Sequence, residues 1–328
     1  MKESLSLGVD LGGTKTEAVV LRRVAAPHPD DAHFDVLARE RVPTPSSAGY
    51  DAVLAATAEL VRQVLAQAGL SARETSIGVG MPGAVTRREG LVKNSNSVCL
   101  NGRPFREDLS RALGQTVAFE NDANCFALAE TELGAGRAHR DGIVFGVIMG
   151  TGVGGGLVVH GRVWPGLQSL GGEWGHHAVG PWRRAGAAEA PGEFGLGLPA
   201  LPVCYCGKTG CLELYAAGPA VERDYANRSG ERRSLREIAE RHREDAHAAA
   251  SIDQLLEAFG RGLANVIDIV DPSAIVLGGG VSNLSCLYDE GVDRVRRYVF
   301  NDELLTPILK HELGDSAGVL GAALLNGD

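Results

Sequence analysis

Residues 8–21 read GVDLGGTKTEAVVL, which is an apolar segment, a glycine-rich turn and a second apolar segment. Residues 146–159, GVIMGTGVGGGLVV, repeat this arrangement at the head of the other half of the chain. Short apolar runs bounded by glycine are typical of buried strands. Because the chain holds 44 glycines, recurrence by chance is an alternative. We favour the interpretation that the two hairpins head two copies of a duplicated α/β domain with a cleft between them.

Helices and strands alternate through the rest of the sequence, which is typical of α/β proteins. Residues 49–68 carry apolar side chains at helical spacing. A second helix is predicted in residues 121–136, and a long buried helix stops at the DP pair after Val270. The strand SAIVLGGG follows it. The C-terminal segment is predicted to be a short apolar helix with Asp315 or Ser316 near its N-cap.

Length and composition indicate a globular protein that acts on a small molecule. The 328 residues suffice for two lobes, and 44% hydrophobic with 22% charged residues is ordinary for such proteins. The net charge of −9 disfavours a nucleic-acid surface. We find no export signal and no apolar stretch of the ~20 residues that a membrane helix requires. The sequence therefore predicts a cytoplasmic protein with reduced cysteines and no membrane partner.

Three of the six cysteines lie in the stretch CYCGKTGC, residues 204–211. Cys204 and Cys206 are too close in sequence for an unstrained disulfide, and Cys211 would leave one of them unpaired. Three thiolates on a glycine-containing loop can instead converge on zinc. Since a closed structural zinc site has four ligands, the sequence must supply one more.

Three glycine-rich segments are candidate contacts for phosphate and nucleotide. A backbone without Cβ atoms lets N–H groups approach phosphate oxygens, and the hydroxyl and ammonium groups of the first turn add donors. Neither hairpin turn has the P-loop pattern or the strand-to-helix context of a dinucleotide site. The candidate residues are Gly12, Gly13, Thr14, Lys15, Thr16, Gly150, Thr151, Gly152, Gly278, Gly279 and Gly280.

Two acidic residues each have a structural and a functional interpretation. Asp10 precedes the first turn, where it is placed equally well to cap the turn or to hold Mg²⁺ through water. Asn121 or Asp122, in FENDANCF, is predicted from local sequence to cap the helix that follows. The functional interpretation makes Asp122 a general base and Asn121 a partner of a substrate hydroxyl. Transfer of a phosphoryl group to an alcohol requires a carboxylate that accepts the hydroxyl proton.

In chain order, VDLGGTKT, ENDAN, IMGTGVGGG, GEWGH, CYCGKTGCLE and IVLGGG resemble the motifs of the ROK family of sugar kinases and repressors. That family belongs to the actin and hexokinase superfamily, and the resemblance spans the whole chain. It implies a duplicated, ribonuclease H-like fold of two lobes. We expect a smaller N-terminal lobe at 1–119, completed by a C-terminal helix at 315–328, and a larger lobe with the zinc loop at 120–314.

The resemblance also implies roles for individual residues. Asp122 matches the catalytic base, and His176 of the GEWGH motif matches the fourth zinc ligand, beside Cys204, Cys206 and Cys211. The sequence departs from compact family members in the 27 residues between His176 and Cys204, and the role of the inserted segment 180–203 is open. His177 is therefore the alternative ligand. The expected sugar contacts are Gly83, Asn96, Asn121, Asp122, Glu173, His176 and Glu213.

Three classes of function compete: a sugar kinase, a sugar-sensing repressor and an actin-like assembly protein. Only nine residues precede Asp10, which disfavours a repressor with a DNA-binding segment ahead of the first motif. An assembly protein has no use for GEWGH, Glu213 or Asp122. The resemblance therefore implies a kinase that uses ATP, Mg²⁺ and a structural zinc ion, and we expect a homodimer. For the sugar phosphorylated at its 6-position, we favour fructose, with mannose as a second substrate; N-acetylglucosamine and glucose are the alternatives.

Overall fold

The structure is a computed structural model that describes residues 4–24, 33–86, 88–95, 97–179 and 202–326. The chain divides into two compact units. The first comprises Met1–Gly146, Gly156–Gly171 and His311–Asp328, and the second comprises Val147–Gly155 and Gly172–Lys310. The boundaries at 119/120 and 314/315 that we expected from the sequence remain a prediction.

The first unit is built on a five-stranded sheet of order β3-β2-β1-β4-β7. The hairpin strands pair antiparallel, and β1, β4 and β7 pair parallel to one another. Strands β5 and β6 pair antiparallel and form a separate two-stranded sheet. The strands are β1 (Ser4–Leu11), β2 (Lys15–Val24), β3 (His33–Pro43), β4 (Ser76–Met81), β5 (Ala84–Val85), β6 (Val92–Lys93) and β7 (Val117–Asn121).

A second five-stranded sheet has the order β10-β9-β8-β11-β12. If the strands of each sheet are numbered one to five in chain order, both sheets have the spatial order 3-2-1-4-5. This shared order confirms the predicted duplicated α/β fold. The strands are β8 (Ile143–Met149), β9 (Val153–Val159), β10 (Arg162–Val163), β11 (Ala274–Gly278) and β12 (Ile308–Lys310).

The helices that the sequence predicts are present with small shifts of their ends. The helix expected at 49–68 spans Tyr50–Gln67, and the long helix ends at Val270, where Asp271 takes a left-handed conformation with φ 47°. The described helices are α1 (Tyr50–Gln67), α2 (Phe105–Leu113), α3 (Asp122–Glu132), α4 (Glu213–Ala216), α5 (Gly218–Ser229), α6 (Leu235–Arg241), α7 (Ala246–Val270), α8 (Glu290–Tyr298) and α9 (Ala317–Leu324). Among the described residues, none of these helices has the length and apolar character needed to cross a membrane.

Helix α9 packs directly on the first sheet. A Cβ atom built on Gly8 of β1 would lie 2.1 Å from the carbonyl oxygen of Val319, so only glycine permits this approach. Val19 and Leu21 of β2 are buried against the same helix. The predicted cap position is confirmed: Ser316 is the N-cap residue, although its side chain makes no capping hydrogen bond and accepts one from Arg39 instead.

Candidate functional site

Four predicted site residues of the first unit lie at one edge of its sheet. Strands β1, β4 and β7 are parallel, so their carboxyl ends meet at the same edge. Asp10 of β1 lies opposite Gly80, and Asn121 of β7 lies opposite Met81. Gly83 and Asp122 follow the ends of β4 and β7. In open α/β sheets this edge is where ligands bind.

The side chain of Asn121 joins two segments of this edge. Its Oδ1 atom accepts a hydrogen bond from the Ala123 N–H at 2.9 Å, and its Nδ2 atom donates one to the Gly83 carbonyl at 3.0 Å. Asn121 is thus the N-cap of α3, as local sequence predicted. Gly83 has φ 92°, and a Cβ atom there would lie 2.4 Å from the Lys93 carbonyl oxygen. Glycine is therefore required at this turn.

Asp122 is the first residue of α3, and its carboxylate also accepts a hydrogen bond from the Ala123 N–H, at 2.9 Å. The positive end of the helix dipole favours a charged carboxylate at this position. Since Oδ1 of Asn121 also accepts a hydrogen bond from the Ala123 N–H, the cap does not depend on Asp122.

Asp10 is part of a row of charges across three strands. In the strand register, Asp10 of β1 lies opposite Glu17 of β2, and Glu17 lies opposite Arg41 of β3. The three side chains therefore lie on one face of the sheet. Glu17 is 5% exposed and forms ion pairs with Arg39 and Arg41. Burial, then the charges of Asp122 and Glu17, raise the pKa of Asp10 from 3.8 to about 6. Sequence analysis missed this row because its members are far apart along the chain.

Asp10→Asn should stabilise the metal-free protein at pH 7. The raised pKa means that the folded state binds more protons than the unfolded state between about pH 4 and 6. The contribution of Asp10 to stability therefore falls as pH rises through this window. Removing the charge should raise the free energy of unfolding by ~1–3 kcal/mol.

Denaturant unfolding in the presence of a chelator measures this difference in the free energy of unfolding between Asp10→Asn and wild type. The difference from wild type should vanish below about pH 4; a pH-independent difference, or a loss of stability at pH 7, would contradict the assignment.

The first glycine turn presents part of its predicted phosphate contacts to solvent. Gly12 donates its N–H to the Lys15 carbonyl at 3.1 Å, which closes the turn. Gly13, Thr14 and Lys15 are exposed, whereas Thr16 is buried with its hydroxyl 2.8 Å from that of Thr44. Asn96, a predicted sugar contact, lies outside the described residues.

A cavity of about 1000 Å³ lies within the second unit. Gly150, Thr151 and Gly280 line it, so the second turn and the triple glycine border the same cavity. Gly279 has φ 80°, and a Cβ atom there would lie 2.3 Å from the Met149 carbonyl oxygen. Gly152 instead faces Glu213, and Gly278 ends β11. Lining residues that sequence analysis did not identify come mainly from α5, α6 and the turn after β11: Gly218, Pro219, Glu222, Ser234, Leu235, Arg236 and Asn283.

The predicted zinc ligands converge in the second unit. One ligand atom from each of His176, Cys204, Cys206 and Cys211 lies within 4.8 Å of all the others. Sγ of Cys206 is 3.6 Å from Sγ of Cys211, and Sγ of Cys204 is 3.7 Å from Nδ1 of His176. Corners of a tetrahedron around an ion with bonds of about 2.3 Å are about 3.8 Å apart. The donor set and its spacing therefore fit zinc.

His176, and not its neighbour His177, belongs to this cluster among the described residues. Its Nδ1 atom faces the sulfur atoms, and its Nε2 atom is 3.1 Å from the Tyr205 hydroxyl. The Tyr205 ring packs edge-on against the imidazole, with centroids 5.2 Å apart. Sequence analysis missed the contact of Tyr205 with His176, although Tyr205 lies between Cys204 and Cys206 in the sequence.

The start of β9 fixes both motifs that flank the cluster. The Val153 N–H donates to Oε2 of Glu213 at 3.0 Å, and Nε1 of Trp174 donates to the Gly154 carbonyl at 2.8 Å. A Cβ atom on Gly175 would lie 2.1 Å from the Val153 carbonyl oxygen, so this position of GEWGH requires glycine. Glu173 is exposed at the start of the short 3₁₀ turn Trp174–His176. Glu213 and the histidine motif are thus positioned by the same two backbone residues.

Comparison with known proteins identifies the family of this chain. The ROK family model matches residues 6–328. An N-acetyl-D-glucosamine kinase from Vibrio parahaemolyticus is 35% identical over 97% of this chain and 98% of the relative. A ROK hexokinase from Thermus thermophilus has a TM-score of 0.80 and 34% identity, over 98% of this chain and 97% of that one. A ROK glucokinase from Streptomyces griseus, solved with glucose and AMPPNP, has a TM-score of 0.70 and 28% identity, over 98% and 99%. The chain therefore belongs to the ROK family.

Proposed function

We propose that this ATP-dependent sugar kinase phosphorylates the primary hydroxyl of N-acetyl-D-glucosamine, giving the 6-phosphate. The observation that carries the sugar is the 35% identity, over nearly all of both chains, to relatives named N-acetyl-D-glucosamine kinase in Vibrio and Pectobacterium. These relatives favour the alternative substrate over fructose, the sugar that we favoured from sequence alone.

The proposed base is Asp122. It stands at a strand end beside Asn121, at the sheet edge where ligands bind. A carboxylate there accepts the proton of the 6-hydroxyl as the hydroxyl oxygen attacks the γ-phosphorus of ATP, and ADP leaves as the bond from that phosphorus to the β,γ-bridging oxygen breaks. Asn121 holds α3 and the Gly83 turn together, so Asp122 starts from a rigid position.

The other proposed sugar contacts are polar groups near the candidate zinc site and at the sheet edge that carries Asn121. Glu173 and Glu213 flank the candidate zinc site, His176 belongs to it, and Gly83 and Asn121 lie at the sheet edge. Asn96 is a further proposed contact outside the described residues. Carboxylates accept hydrogen bonds from sugar hydroxyls, and amides both donate and accept them. Zinc at the Cys₃His cluster would hold the loop that carries Glu213, and the ion would take no part in the reaction.

The proposed nucleotide site is the cavity lined by Gly150, Thr151 and Gly280. Its volume of about 1000 Å³ is at the upper end of the usual range for ligand pockets. Exposed Gly13, Thr14 and Lys15 are the proposed phosphate contacts of the first unit. Asp10 would hold Mg²⁺ through water, and the ion would neutralise charge on the phosphates.

An ADP-release assay over four sugars tests the substrate. N-acetylglucosamine should give the highest kcat/KM, about tenfold or more above glucose, mannose and fructose, since one favourable pocket contact contributes about that factor. A higher value for fructose would restore our original expectation, and equal values for all four would contradict the assignment of one sugar. The homodimer remains a proposal that light scattering tests.

A further inference from the structure

A second cavity, of about 390 Å³, lies within the first unit at the sheet edge that carries Asn121. Gly83 and Asn121, both proposed sugar contacts, line it. Its apolar wall comes from Met81 at the end of β4, Val85 of β5 and Phe119 of β7. Met81 is 1% exposed, and Phe119 packs edge-on against Phe105 with ring centroids 5.9 Å apart. Met81 and Phe119 therefore belong to the packed core, and Val85 is half-buried.

The cavity also has polar groups of two kinds. Glu120 lines it, and its Oε1 atom accepts hydrogen bonds from Nδ2 of Asn124 at 2.9 Å and from the Asn121 N–H at 2.8 Å. These two bonds fix the Glu120 carboxylate, which is an acceptor. Thr86 and Arg106 also line the cavity, and their hydroxyl and guanidinium groups are hydrogen-bond donors.

An acceptor, donors and an apolar wall in one cavity match the three parts of a secondary amide: its N–H, its carbonyl and its methyl group. We propose that this cavity receives the 2-acetamido group of the substrate, with Val85 and Met81 against the methyl group and Glu120 accepting the amide N–H. The inference rests on the proposed function and deepens it. Sugars with a hydroxyl group at carbon 2 leave the apolar wall in contact with water.

The size of the cavity sets a second expectation. A four-atom acetamido group needs the space of a few water molecules, each about 30 Å³. A cavity of about 390 Å³ therefore has room for a longer acyl chain. Wild-type enzyme should phosphorylate N-propionylglucosamine with a kcat/KM within about threefold of that for N-acetylglucosamine, since an extra methylene against an apolar wall is not penalised.

The decisive variant is Val85→Phe, which fills the cavity from its apolar wall. The ratio of kcat/KM for N-acetylglucosamine to that for glucose should fall by about 10–200-fold, the range for one apolar group in a pocket. Val36→Phe is the matched control, because Val36 is a 54% exposed position on β3. It should leave the ratio unchanged. Thermal melting checks that both variants are folded.

The outcomes separate the two proposals. A wild-type enzyme that does not phosphorylate N-acetylglucosamine would overturn the proposed function, and the cavity assignment with it. A wild-type enzyme that does so, with a Val85→Phe variant that loses activity on both sugars equally or on neither, would overturn the cavity assignment alone. If Val85→Phe does not fold, the wild-type acyl series decides: a steep loss with N-propionylglucosamine overturns the assignment, and retention supports it.

Discussion

Asp122→Asn should lower kcat by about 10²–10⁴, the usual contribution of a general base. The amide is similar in size to the carboxylate but cannot take the proton of the attacking hydroxyl. Binding of N-acetylglucosamine, measured by calorimetry, should change little, because the variant keeps an oxygen acceptor at the same place. The expected signature is therefore a loss in kcat with a nearly unchanged sugar affinity.

The fold should survive this change. Oδ1 of Asn121 accepts the same Ala123 N–H, so the N-cap of α3 remains. Asp35→Asn, at a partly exposed position on β3, is the control for the loss of one carboxylate. Turnover of the Asp122 variant within a few-fold of wild type would return Asp122 to a purely structural role at the helix start.

Cys206→Ser should abolish zinc binding, whereas elemental analysis of freshly purified wild-type protein should find one zinc ion per chain. Cys206 is exposed, so without a metal its replacement by serine would cost little stability. A marked fall in melting temperature therefore reports loss of an ion that is coupled to folding of the loop. The sugar KM should rise by about 10–100-fold, the effect of losing one hydrogen bond to a charged group such as Glu213. The KM for ATP should change far less.

Two histidine variants complete this test. His176→Ala should lose the metal, and His177→Ala should keep it, because His176 and not His177 lies within the cluster that the described residues form. The opposite result would assign the site to His177. Wild-type protein without zinc, or a fully active Cys206→Ser enzyme, would refute the structural role of the metal.

The sequence predicted those features that depend on local patterns. The apolar runs around the two glycine turns predicted both hairpins, and helical spacing predicted α1 and α7 to within a few residues. The cysteine spacing predicted a metal site because the short loop itself brings the three sulfur atoms together. Asn121 or Asp122 was predicted as a cap, and Asn121 takes this role through an interaction that spans two residues.

What the sequence did not predict depends on contacts between distant segments. Glu17 meets Arg39 and Arg41 only because β2 and β3 pair in one register. The wall of the larger cavity needs Gly218 and Asn283, which are far apart along the chain. The choice between His176 and His177 depended on the direction of one side chain. The preferred sugar was also beyond reach, since pocket shape comes from the same distant contacts.

Helix α9 has a consequence for synthesis of the protein. Its residues, Ala317–Leu324, are translated long after Val19 and Leu21, which they cover. At a translation rate of ~5–20 residues per second, this face of the first sheet stays exposed to solvent for many seconds before α9 is synthesised. Glycines that let α9 pack closely, such as Gly8, have no side chains and so do not cover that face. A nascent chain is therefore expected to depend on chaperones until α9 has been synthesised.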